Sequence, residues 1–88
     1  MMTMGNSLMP AWNLSQYTNK HGCSVNCYLR YGMYLIDINF DGGIRYTLST
    51  YNIRKNQGVP NDIPQDLMRS IRKNLWFLRE IAYEEQYH

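Results

Sequence analysis

The chain has 88 residues, nine Lys and Arg against seven Asp and Glu for a net charge of +2, and 14% aromatic side chains including eight Tyr. That length supports one domain with a small core, burying about 60–65% of its unfolded surface, and the charge falls short of the clustered excess that marks a dedicated nucleic-acid binder. Two cysteines, Cys23 and Cys27, are too few for a disulfide-framed secreted domain, and no stretch reaches the ~18 apolar residues of a membrane span, so the expected location is the cytoplasm.

Residues 1–22 are expected to form an N-terminal arm of the same domain as residues 23–88. Met1, Met2, Met4 and Gly5 read as a flexible start. From Ser7 two readings stay open: a short helix capped by Ser7, or an irregular arm alternating like a strand. Asn13, Asn19 and Gly22 weaken both. The expectation is an irregular arm, or one or two helical turns, that brings Trp12 and Leu14 to the core edge.

Ser24 to Tyr51 reads as a three-stranded antiparallel meander, because β-branched and aromatic residues alternate with polar ones between turn signals. A two-residue Asp41-Gly42 turn would mix the faces of the second hairpin, since a slip of one residue inverts every side chain. A loop Asp41-Gly42-Gly43 with Gly43 left-handed instead pairs Phe40 with Ile44, Ile38 with Tyr46 and Ile36 with Leu48. Around Tyr31-Gly32 the first hairpin sets Leu29 against Tyr34, Cys27 against Ile36 and Val25 against Ile38. The other face is polar with aromatic spots, and Asp37 and Arg45 are diagonal neighbours on it. Residues 52–61, NIRKNQGVPN, read as a loop made basic by Arg54 and Lys55.

The stretch Pro64 to Gln86 reads as one long amphipathic helix. Steps of about 100° place Leu67, Met68, Ile71, Leu75, Leu78, Ile81 and Ala82 within roughly 140°, a face wide enough for a core. Asp62 and Gln65 fit a capping box, Pro64 suits the first turn, and Asp66 complements the dipole. The fold class is therefore α+β: a three-stranded antiparallel meander covered on one face by a long C-terminal helix.

Opposite the core face lies a second stripe, Arg69, Arg72, Trp76, Arg79, Tyr83 and Tyr87. Arg, Trp and Tyr dominate interface hot spots, and the spacing would lay Arg72 over Trp76 and Arg79 over Tyr83. The stripe, with Arg54 and Lys55, is the candidate partner-binding surface. The same residues also fit local cover, with Trp76 and Phe77 under the N-terminal segment.

For chemistry, His21, Cys23, Cys27 and His88 are the only metal candidates. On an extended strand the two sulfurs lie about 13 Å apart at ~3.3 Å per residue, so neither a shared metal nor a disulfide is expected. No Gly-rich phosphate loop joins a strand to a helix, and His21 is adjacent to Cys23 without being aimed at it. No enzyme activity and no cofactor are expected.

If the arm is helical, the order α-β-β-β-α resembles that of double-stranded RNA-binding domains, and QYTNKHG, from Gln16 to Gly22, is similar to their first helix. That family carries a lysine cluster where this chain has Asp62 and Asp66, so the likeness is one of topology. The expected function is a small non-enzymatic module that occludes or modulates a partner protein, in the style of phage or mobile-element inhibitors of host or defence proteins, or that pairs with a second copy. The alternative is a nucleic-acid-binding regulator using the basic, aromatic helix.

Overall fold

The computed structural model describes residues 13–87. They run α1 (Leu14–His21), β1 (Cys23–Arg30), β2 (Met33–Phe40), β3 (Arg45–Ser49), α2 (Thr50–Lys55), α3 (Gln65–Lys73) and α4 (Leu75–Tyr87). The fold is α+β, an open antiparallel sheet in the order β1-β2-β3 with the C-terminal helical stretch packed on it through β1. Ser7, Trp12 and His88, which carried expectations, lie outside the described residues.

Both hairpins hold the expected register. Tyr31 (φ 52°) and Gly32 (φ 75°) make a two-residue turn with both angles positive, which matches the strand twist. It sets Cys27 opposite Ile36 and Val25 opposite Ile38. Gly43 (φ 95°) closes the second hairpin, its N–H donating to the Phe40 carbonyl at 2.9 Å while the Phe40 N–H reaches the Ile44 carbonyl at 2.8 Å. Ile36 then faces Leu48 and Ile38 faces Tyr46. The period of two therefore puts Cys27, Ile36, Ile38 and Leu48 in one buried row. Ile44 departs from the expected row and is 58% exposed, because strand pairing begins only at Arg45. On the outer face Asp37 gathers Thr47 (2.7 Å), Tyr28 (3.2 Å) and Arg45 (3.7 Å).

The arm is helical from Leu14, and Leu14 and Tyr17 pack against the core. Gly22 ends α1 in the left-handed region and its carbonyl accepts the Asp41 N–H at 2.8 Å. The left-handed angle favours glycine at the corner that joins α1 to the second hairpin, and a Cβ there would also displace the Asp41 carboxylate, whose Oδ2 would lie 2.9 Å away.

Residues 52–61 are not all loop, and Thr50 and Tyr51 do not belong to a strand. The Ser49 hydroxyl accepts the Asn52 N–H at 3.0 Å and starts α2, which Asn56 ends in the left-handed region. Six residues are too few to show a helical period, and Gly58, Pro60 and the asparagines dominate the window. Ile53 on α2 is fully buried.

The C-terminal helical stretch is divided at Asn74. That residue leaves helical angles (φ −105°, ψ 9°), is 1% exposed, and its Nδ2 donates to the Ser70 carbonyl at 2.7 Å, a local bond that competes with the backbone ladder. The expected capping box is also absent, since Pro64 takes the N-cap position and the Asp62 carboxylate accepts the Tyr46 hydroxyl instead. Ile63 and Met68 occupy the positions of a hydrophobic staple and both are buried. Leu67, Met68, Ile71, Leu75, Leu78 and Ala82 face the core as expected, while Ile81, at the rim of the calculated arc, is 40% exposed. α4 packs on β1, α3 on α1, and α2 on β2, β3 and α3.

Replacing Ser49→Ala removes the α2 cap and is expected to lower the unfolding free energy by about 1 kcal/mol, with Ser49→Asp restoring most of it. Urea unfolding measures both. Identical midpoints for all three proteins would mean that residues 50–55 do not depend on that cap.

Candidate functional site

The stripe read from the sequence is one helical face by angle and two surfaces in space. Its first part, on α3, turns toward α2 and the connection that follows. Arg72 Nε donates to the Ile53 carbonyl at 3.2 Å and Nη2 to Asn56 Oδ1 at 3.4 Å. Its guanidinium is therefore engaged across the fold rather than laid over Trp76. Arg69, one turn earlier, is exposed. Both arginines line a cavity of about 420 Å³ under residues 56–61.

The second part, on α4, faces solvent beside β2. Trp76 is 76% exposed, Tyr83 52% and Tyr87 63%, and the Tyr83 and Tyr87 rings lie 4.7 Å apart at 45°. Local cover by the rest of the described fold is thus not what holds Trp76. Arg79 does not sit over Tyr83; its guanidinium lies 4.8 Å from the ring of Tyr34, a half-buried residue on β2 paired with Leu29 of β1, the strand on which α4 packs. Tyr34, Trp76, Arg79, Glu80 and Tyr83 enclose a shallow cleft of about 180 Å³. Arg79 also lines a neighbouring cleft of about 220 Å³ with Thr50, Tyr51, Arg54 and Leu75. Arg54 and Lys55 flank the Tyr51 ring at 5.6 and 5.5 Å. The sequence alone does not single out Tyr34 and Tyr51: alternation assigns both to sheet faces, and nothing local shows that Tyr34 lies beside Trp76 and Arg79 or that Tyr51 shares a cleft with Arg79.

Among the described residues, ion pairs join Lys20 and His21 to Asp66 and Arg45 to Asp37. Arg54, Lys55, Arg69 and Arg79 have no carboxylate within 4.0 Å there. The exposed residues of α2 and α4 therefore combine aromatic rings with Arg54, Lys55 and Arg79 and with Glu80, Glu84 and Glu85, and rings with guanidinium groups are the side chains that dominate interface hot spots.

His21 and the cysteines do other work. Asp66 Oδ2 is 2.8 Å from Lys20 Nζ, and Oδ1 is 2.9 Å from His21 Nε2 and 2.8 Å from the Leu67 N–H, which ties the end of α1 to the first turn of α3. The Lys20 hydrogen bond, aided by His21 and the Leu67 amide and opposed by burial, holds the Asp66 carboxyl down to about 2. Cys23 and Cys27 lie on β1 as free thiols. Burial pushes Cys27 up to about 11, and burial with nearby Asp41 pushes Cys23 up, the reverse of what activates a nucleophile. Among the described residues no cluster of three or more His, Cys, Asp or Glu is arranged to hold a metal ion, and no helix is long and apolar enough to cross a membrane.

Because the folded Asp66 carboxyl lies below its ordinary value of 3.8, its stabilising contribution is present above that value and lost as the pH falls toward about 2. The stability difference between wild type and Asp66→Asn, from urea unfolding at pH 6 down to pH 2, is expected to shrink across that interval; a constant difference would remove the ion-pair assignment. In native protein a thiol alkylating reagent should label Cys23 before Cys27, with Cys27 reacting on the timescale of unfolding. Equal, rapid labelling of both would contradict the burial of Cys27.

The element order agrees with double-stranded RNA-binding domains through β3, after which three helical segments follow rather than one. Compared with known proteins, the chain matches no family model, no curated protein and no solved structure.

Proposed function

We propose that the chain is a small non-enzymatic protein-binding module that uses the α4 face, Trp76, Arg79, Tyr83 and Tyr87 with Tyr34, Tyr51 and Arg54 beside it, to occlude an acidic surface of a partner protein. The observation that carries this reading is Trp76, 76% exposed and sharing a cleft with the Tyr34 and Tyr83 rings, the Arg79 guanidinium and the Glu80 carboxylate. A large indole held on a helix supplies contact area with little side-chain entropy to lose, and such centres carry most of the energy of an interface. The neighbouring cations without a carboxylate partner supply the charge complementarity that selects an acidic surface and speeds encounter. Occlusion is the mode of action of many inhibitors encoded by phages and mobile elements, and it asks for no catalytic group. The raised thiols and the engagement of His21 with Asp66 are in keeping with that.

The test is retention of a host protein from nuclease-treated lysate on immobilised wild type and on a Trp76→Ala/Arg79→Ala variant whose folding is checked by circular dichroism. The expected result is one partner retained by wild type, with affinity lowered at least about a hundredfold in the variant, and loss of that partner's activity at equimolar ratio. Retention that disappears on nuclease treatment and falls steeply with salt would assign the same aromatic and basic face to nucleic acid instead. Equal retention by both proteins would exclude the α4 face.

A further inference from the structure

The cavity under residues 56–61 is built differently from the α4 face, and no α4 residue lines it. Its polar wall is Asn56, Asn61, Gln65, Arg69 and Arg72, two guanidinium groups and three carboxamides without a carboxylate. The nearest acids in sequence are engaged elsewhere, Asp62 by the Tyr46 hydroxyl and Asp66 by Lys20 and His21. The positive charge of the two arginines is therefore not neutralised within the cavity, and its concave walls concentrate that field.

Arg72 is held in place before any ligand arrives. Its hydrogen bonds to the Ile53 carbonyl and Asn56 Oδ1 fix the plane of the guanidinium, which leaves its remaining N–H groups as oriented donors. The bond from Arg72 also commits the Asn56 oxygen, so that carboxamide offers its NH2 group to the cavity. Arg69, one turn away on α3, adds a second fork. The rest of the wall is apolar. Ile63 and Met68 are buried at 2% and 4% exposure, and Val59 and Pro60 complete that side. A volume of about 420 Å³ exceeds what a bare anion fills and lies within the range of small-molecule sites.

We propose that this cavity binds a small phosphorylated molecule, with the phosphoryl oxygens between Arg69 and Arg72 and the organic part against the half-buried Val59 and Pro60. Two adjacent guanidinium groups match the nearly double charge and several acceptor oxygens of a phosphomonoester; a single carboxylate would satisfy one fork and leave the other unmatched. The site is independent of the α4 reading, since the two surfaces share no residue.

The test is a titration followed by amide and arginine Nε–Hε nitrogen-15 correlation spectra at low ionic strength, using inorganic phosphate, phenyl phosphate, malonate and sodium chloride at equal ionic strength. Saturable shifts are expected with both phosphates at Asn56, Asn61, Gln65 and the Arg72 side chain, with phenyl phosphate binding about tenfold more tightly through the apolar wall. Arg72→Lys keeps the charge but loses the fork and is expected to weaken both phosphates about tenfold. Arg69→Gln should weaken them similarly, whereas Arg30→Gln, the same charge change at the end of β1, should not. Chloride producing the same shifts, unaltered binding by Arg72→Lys, or an equal loss with Arg30→Gln would each overturn the site. Saturable binding of malonate without phosphate would overturn its phosphoryl assignment. An oligonucleotide without terminal phosphate that shifted the same residues as tightly as phenyl phosphate would overturn the small-ligand assignment.

Discussion

The buried carboxamide of Asn74 sets how the rest of the fold is arranged. Its Nδ2 donates to the Ser70 carbonyl at 2.7 Å while its backbone sits at φ −105° and ψ 9°, so the helical stretch is interrupted inside the protein rather than at its surface. An unbroken rod of the expected length would measure about 34 Å, nearly the longest dimension of a domain of 37 × 31 × 24 Å. Divided, α3 packs with α1 and α2 at one side while α4 runs over β1, and one inward row, Ile36 and Ile38, is closed from several directions. A core this small depends on that closure, because a domain of this size buries a modest share of its apolar surface.

Charge follows from the same arrangement. Asp66 serves the dipole of α3, as its position in the first turn suggests, and also gathers Lys20 and His21 from α1. Asp37 serves the outer sheet face and Asp62 the Tyr46 hydroxyl. With these three aspartates engaged on the sheet and α1 side, Arg54, Lys55, Arg69 and Arg79 have no carboxylate within 4.0 Å among the described residues. The net charge of +2 is thus unevenly spread: Arg69 and Arg72 line a cavity that has no carboxylate in its wall, while α4 sets Glu80, Glu84 and Glu85 beside Arg79.

The sheet was legible because its evidence is local. Alternation fixes which residues share a face, and Asp41-Gly42-Gly43 admits only the loop that keeps Ile36 opposite Leu48. α2 was not legible: its six residues show no period, and the serine that starts it reads equally well as the end of a strand. The capping box at Asp62 failed for a tertiary reason, since Tyr46 on β3 takes that carboxylate. The stripe was correctly placed away from the core, but angles around an ideal helix carry no information about what approaches from outside. Tyr34 reaches Arg79 because β2 pairs with the strand that carries α4, and Ile53 and Asn56 reach Arg72 because α2 lies against α3. One stripe thereby became an open aromatic face and a polar cavity.

The composition of the α4 face bears on what can cover it. A second copy presenting the same face would bring Arg54, Lys55 and Arg79 toward their own equivalents, with Glu80 the one acid lining the cleft beside Trp76. Like charges brought together in a desolvated contact cost free energy that ring stacking, at about 0.5–1.5 kcal/mol per pair, does not readily offset. An acidic surface reverses the sign of that term while burying the same rings. If the face binds an acidic partner as proposed, the cations beside Tyr34 and Tyr51 would both attract that partner and oppose a second copy.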